Sequence, residues 1–82
     1  MSSRSVMLAR IGAEASKADE LFGDFSSAHE GYGVLAEEVA ELFDAVRLKQ
    51  SKADRWTMVE AEAIQVAAVA LRIAEQAGAM WR

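Results

Sequence analysis

No proline occurs anywhere in the 82 residues, and β-branched residues nowhere alternate with polar ones over the length of a strand, so helix is the default conformation between breaks. Those breaks are few. Gly23 ends a first helix predicted from about Ser3 to Phe22, which has Val6, Ile11 and Leu21 among its larger apolar residues and the weakest periodicity in the chain. After Gly23–Ser26, the run Ser27-Ala28-His29-Glu30 has the form of a capping box, in which the serine hydroxyl and the glutamate each satisfy an orphan amide. It starts a second helix running to about Lys49. Gly31 and Gly33 fall in the first turns of this helix, each costing up to ~1 kcal/mol against alanine, and call for a reason such as close backbone approach or a bend. Ser51 to Asp54 make a polar break, and a third helix is expected from about Asp54 to Ala77, closing at Gly78 as its C′ residue. Ser51-x-x-Asp54 and Thr57-x-x-Glu60 both resemble capping boxes, which leaves its first residue open by a few positions. The expectation is all-α: a single domain over residues 1–82, built as a bundle of about three helices and completed by oligomerisation.

The demand for oligomerisation comes from size. A chain this short buries only about 60% of the surface its unfolded form exposes. With no cysteine and one histidine, His29, neither disulfides nor a thiolate or multi-histidine zinc site can reinforce it. Self-association is the simplest remaining staple, and seventeen alanines favour close packing of helices over a thick core. The net charge of −4 and the scattering of nine Lys and Arg residues argue against a nucleic-acid polymer as partner. A small phosphate ligand stays open, because a bound divalent cation inverts the charge around acidic side chains. The apolar run Val6 to Ala9 is too short for a signal-peptide core, and no stretch approaches the ~20 apolar residues of a membrane span. A cytoplasmic protein without membrane partners is expected.

The acidic residues are more informative than the basic ones. On a helical wheel Leu35, Val39, Leu42, Phe43 and Val46 form one stripe of the second helix, expected to face the core. Glu38 and Glu41, three residues apart, lie along one border of that stripe; Glu37 and Asp44 point farther outward. Solvated surface acids have the same pattern, so this helix alone is weak evidence. In the third helix apolar residues from Val59 to Ile73 cover most of the circumference, which places it in the middle of the bundle. Glu62 nevertheless projects into that apolar arc. A carboxylate taken out of water must be protonated, paired with a base or bound to a metal. If the second and third helices pack antiparallel, Glu38 and Glu41 converge with Glu62, and hard cations such as Mg²⁺ or Mn²⁺ favour such oxygen ligands.

At these residues the sequence resembles the all-α nucleoside triphosphate pyrophosphohydrolases of MazG type, marked by Glu-Glu-x-x-Glu on one helix and Glu-x-x-Asp on another. Glu37-Glu38-Val39-Ala40-Glu41 supplies the first part and Glu62-Ala63-Ile64-Gln65 the second, with twenty residues between Glu41 and Glu62. The surrounding His29-Glu30-Gly31-Tyr32, Val34-Leu35-Ala36, Glu41-Leu42-Phe43 and Ile64-Gln65-Val66-Ala67-Ala68 are also similar to short members, and the likeness covers roughly residues 21 to 76. Gln65 departs from the pattern by standing where the family has aspartate, which removes a negative ligand and bears on the number of metals and on activity. The resemblance implies Mg²⁺-dependent hydrolysis of a nucleoside triphosphate, ordinary or modified, to monophosphate and pyrophosphate, as in cleaning a nucleotide pool. It further implies a homodimer or tetramer, metal ligation by Glu38, Glu41, Glu62 and the carbonyl oxygen of Gln65, and either Glu37 or Glu41 orienting or deprotonating the water. The alternative is a catalytically silent helical oligomer or interaction module on the same scaffold; a third reading is hydrolysis of another phosphoanhydride, such as phosphoribosyl-ATP.

Lys17, Arg47, Lys49, Arg55 and Arg72 are candidate phosphate clamps, although exposed basic residues more often pair with nearby acids. Tyr32 and Trp56 are candidates for stacking on a base, against the commoner role of packing anchors. Phe22, Phe25 and Phe43 are read as core, Met7, Met58 and Met80 as gap-fillers, and Trp81 as a seal at a subunit contact.

Overall fold

The computed structural model describes residues 3–47 and 52–79, which form three helices: α1 (Ser3–Phe22), α2 (Ala28–Arg47) and α3 (Lys52–Ala79). Lys49, Ser51, Met80 and Trp81, for which the sequence gives expectations, lie outside the described residues. α1 ends where expected, with Gly23 in the left-handed region at φ 68° and its amide bonded to the Asp19 carbonyl at 2.9 Å. The capping box forms in altered shape. The Ser27 hydroxyl accepts from the Glu30 amide at 3.1 Å, but the Glu30 carboxylate accepts from the amide and hydroxyl of Ser26, at 3.0 and 2.8 Å. Those two bonds hold the Glu30 carboxyl below its ordinary value. At its other end the molecule departs from expectation: α3 passes through Gly78 without a positive φ and continues to Ala79, so Gly78 is not its terminator.

α3 is the central element. It packs against α1 and α2, which do not approach each other. Gly31 faces Ile73, Glu38 approaches Glu62, and Val46 shares a groove with Val59, so the numbers fall along α3 as they rise along α2 and the pair is antiparallel. Across the other interface Arg10 meets Glu60, Glu14 meets Gln65 and Asp19 meets Arg72, so α1 runs parallel to α3. The core is thin: Ala15, Phe25, Ala45, Ile64, Ala68 and Val69 are its buried apolar residues among those described.

α2 turns differently from the wheel expectation. Its buried residues are Gly31 and Ala45, with Val34, Leu35, Glu38 and Leu42 half-buried between them, whereas Val39, Phe43 and Val46 are exposed. The seam against α3 is therefore 31-34-38-42-45. Two small residues let the helices approach closely, and a β-carbon on Gly31 would stand 3.1 Å from Ile73 Cγ1 and 3.2 Å from Phe25 Cδ2. Close approach explains Gly31; Gly33 has open space around it. Phe25 is core as expected, but Phe22 and Phe43 are 76% and 60% exposed, and Val6 and Leu21 also face solvent.

Candidate functional site

The rotation of α2 moves Glu38 from the border of the apolar stripe into the seam, where it meets Glu62 from the apolar arc of α3. One oxygen from each of Glu38, Glu41 and Glu62 lies within 4.8 Å of the other two. Glu62 Oε2 is buried without a hydrogen-bond partner, and none of the ion pairs among the described residues involves Glu62. Among the described residues, then, the ordinary resolution of a carboxylate in an apolar helix face, a salt bridge, is not used. Burial pushes the Glu38 carboxyl above its ordinary value, and the charge of Glu41, a hydrogen bond shared with Glu41, and the charges of Glu62 and Glu37 push the same way.

The donor set fits a hard divalent cation. Oxygens 2.0–2.1 Å from one Mg²⁺ stand about 3 Å apart when adjacent and at most about 4.2 Å apart when opposite, so the three carboxylates must draw in from separations of up to 4.8 Å to share it. The orphaned Glu62 oxygen is a ligand atom with no competing bond to break. Glu37 is exposed beside this group.

Gln65, one turn after Glu62, donates from Nε2 to Glu14 Oε2 at 3.1 Å, which leaves its carbonyl oxygen as a neutral acceptor. The sequence reading missed Glu14. Its signal was present: Met7, Ile11, Glu14, Ala15 and Ala18 share one face of α1, so Glu14 interrupts an apolar stripe as Glu62 does.

Because α1 and α2 flank α3 without touching, a cleft of about 390 Å³ opens between them above α3. Gln65, Val69 and Arg72 line it from α3, and Glu38 belongs both to its wall and to the acidic group. Arg72 is buried and fully engaged: it pairs with Asp19 at 2.7 Å, donates to the Gly23 carbonyl, and stacks over Phe25 at 4.6 Å. It ties the end of α1 to α3.

The other candidates stand apart from this cleft. Lys17 is exposed on α1. Arg47 pairs with Asp44 at 2.8 Å and lies over the Phe43 ring. Tyr32 is 70% exposed, in a shallow groove with Ala28 and His29, and Trp56 is 60% exposed beside Val46, Arg55 and Val59. No protein-family model, curated protein or solved structure matches the chain.

Proposed function

We propose that this protein is a Mg²⁺-dependent hydrolase that splits a nucleoside triphosphate into monophosphate and pyrophosphate, with its site at Glu38, Glu41 and Glu62. The observation that carries this reading is the meeting of three carboxylates from two helices with no basic partner among the described residues and with Glu62 Oε2 buried and unbonded. The MazG-type resemblance of the same residues supplies the reaction.

Glu38, Glu41 and Glu62 would hold the cation, with the Gln65 carbonyl oxygen as a weaker fourth donor. Bound Mg²⁺, or Mn²⁺ in its place, supplies positive charge that offsets the charge spread over the phosphoryl oxygens. Water forms a new bond to phosphorus as the bond to the bridging oxygen breaks and pyrophosphate leaves with the electron pair. Glu37 or Glu41 takes the proton from that water, since both are exposed at the edge of the site and reachable by solvent. Self-association belongs to the proposal. Tyr32, Val39, Phe43 and Val46, spaced seven, four and three residues apart, leave an apolar stripe of α2 facing solvent.

A specific observation favours a second reading, a silent scaffold: the Gln65 amide is already occupied by Glu14. Pyrophosphate release from a panel of natural and modified nucleotides with Mg²⁺ separates the two. The hydrolase predicts release from at least one nucleotide and its loss in Glu62→Gln; no release from any, together with no Mg²⁺-dependent thermal shift, would establish the scaffold instead.

A further inference from the structure

The acidic cluster accounts for one end of the cleft and not for the rest. Away from Glu38 the apolar side chains of Ala18, Phe22, Phe25, Val34 and Val69 line it, with the charged groups of Asp24, Glu30 and Arg72 among them. Glu30 stands eight residues before Glu38, which is about 12 Å along α2 at 1.5 Å per residue. That length takes a nucleoside with its first phosphate at the Glu38 end, and the volume of about 390 Å³ is in the range of small-molecule sites.

Two lining residues have no structural occupation. Phe22 leaves a large aromatic ring 76% exposed on the last turn of α1. Asp24 is exposed just beyond Gly23 and takes part in none of the hydrogen bonds or ion pairs of the described residues. The other charged groups at that end are taken: Arg72 by Asp19 and Gly23, Glu30 by Ser26.

We infer that this cleft seats the base of the nucleotide, with Phe22 stacking on the ring and Asp24 accepting a hydrogen bond from an exocyclic amino group, so that adenine, cytosine and guanine are selected over uracil and thymine. The identity of the ligand rests on the hydrolase reading; the selectivity rests on the cleft. A carboxylate can only accept hydrogen bonds. Uracil and thymine flank their one ring N–H with two carbonyl oxygens that a carboxylate repels, whereas an amino group offers it two donors. Tyr32 and Trp56 cannot serve the same ring, because neither lines the cleft.

The test combines pyrophosphate release from ATP, CTP, GTP, UTP and dTTP under Mg²⁺ with amide chemical-shift mapping of adenosine, cytidine and uridine binding. Both substitutions used, Phe22→Ala and Asp24→Asn, fall on exposed side chains and leave the packing intact. Wild-type protein is expected to favour the amino-bearing nucleotides about tenfold in kcat/KM, and Asp24→Asn to remove most of that preference. Phe22→Ala is expected to raise KM about tenfold for every nucleotide with kcat little changed. Adenosine and cytidine should move the amides of Phe25, Val34 and Val69 in wild type and not in Phe22→Ala. Equal kcat/KM for all five nucleotides, with Phe22→Ala indistinguishable from wild type, overturns the base seat and leaves the hydrolase standing. Nucleoside shifts confined to the cleft, with no pyrophosphate from any nucleotide, overturn the hydrolase and keep the seat.

Discussion

Glu62 occupies a position where an apolar side chain would pack without cost, and its buried oxygen has no partner. An unsatisfied buried polar group of this kind costs about 1–3 kcal/mol, more when charged. Glu62→Gln is therefore expected to abolish turnover while leaving the metal-free protein as stable as wild type or more so, read as an equal or higher Tm in chelator; a lower Tm would mean that Glu62 stabilises the fold by itself. Glu38 gives a pH dependence. Its folded value is raised above the ordinary 4.5, so over the window above 4.5 the folded state keeps a proton that the unfolded chain has lost. Stability of the metal-free protein then falls as pH rises through that window, and Glu38→Gln should flatten the decline in urea titrations at several pH values. Gln65→Asp sets a second carboxylate against Glu14, 3.1 Å from the amide it replaces. It should lower Tm in chelator and raise Mg²⁺ affinity, and unchanged affinity would remove position 65 from the ligand set. At this scale the sequence was readable wherever an acid broke an apolar pattern, as at Glu62. Glu14 was passed over because the small residues Ala15 and Ala18 mark its face faintly. Arg72 fits a phosphate clamp by sequence alone because a helical wheel cannot show Asp19 of α1 and the carbonyl of Gly23 just beyond it, which engage the guanidinium.

Two glycines separate packing from propensity within α2. Alanine at Gly33 meets open space and should gain roughly 0.5–1 kcal/mol from reduced backbone entropy. At Gly31 the same gain is opposed by contacts at 3.1 and 3.2 Å, and Phe25 cannot yield because it is buried under Arg72. Gly31→Ala should be destabilising by about 1–3 kcal/mol, the usual range for overpacking, with Tm falling where Gly33→Ala raises it. The glycines were visible in the sequence as a cost needing a reason, but only the neighbouring helix says which of them has one. The rotation of α2 has the same origin. Val39, Phe43 and Val46 carry more hydrophobic weight than Gly31 and Ala45, so the wheel put the larger residues inside, whereas close approach to α3 favoured the small ones. The ends are legible in proportion to their chemistry: Gly23 stops α1 in the left-handed region that glycine enters without steric cost, while Gly78, an expected stop, is helical.

As a whole the molecule is open. Its radius of gyration is 13.9 Å, against about 11.7 Å for a compact chain of this length, and its largest apolar residues are among the exposed ones. Size, alanine content and the lack of cysteine lead from the sequence to an expected oligomer, not to this openness, and which face lies uncovered depends on the rotation of α2. If the outer stripe of α2 joins two copies, Phe43→Asp should yield monomers by sedimentation and lower Tm by several degrees, while Phe22→Asp, outside the stripe, leaves the oligomer intact. No helix among the described residues is long and apolar enough to cross a membrane, so that stripe is not part of a span. The cleft exists because α3 holds α1 and α2 apart, the acidic cluster because Glu38 and Glu41 meet Glu62 at the seam of α2 with α3, and cation binding by that cluster is the chemistry the proposed function requires. Titration of the metal-free protein with Mn²⁺, followed by the loss of the free-ion paramagnetic resonance signal, measures that chemistry without any nucleotide. Uptake of at least one Mn²⁺ per chain, competed by Mg²⁺ and absent in Glu62→Gln, is the predicted result; no uptake, or uptake that survives Glu62→Gln unchanged, contradicts it.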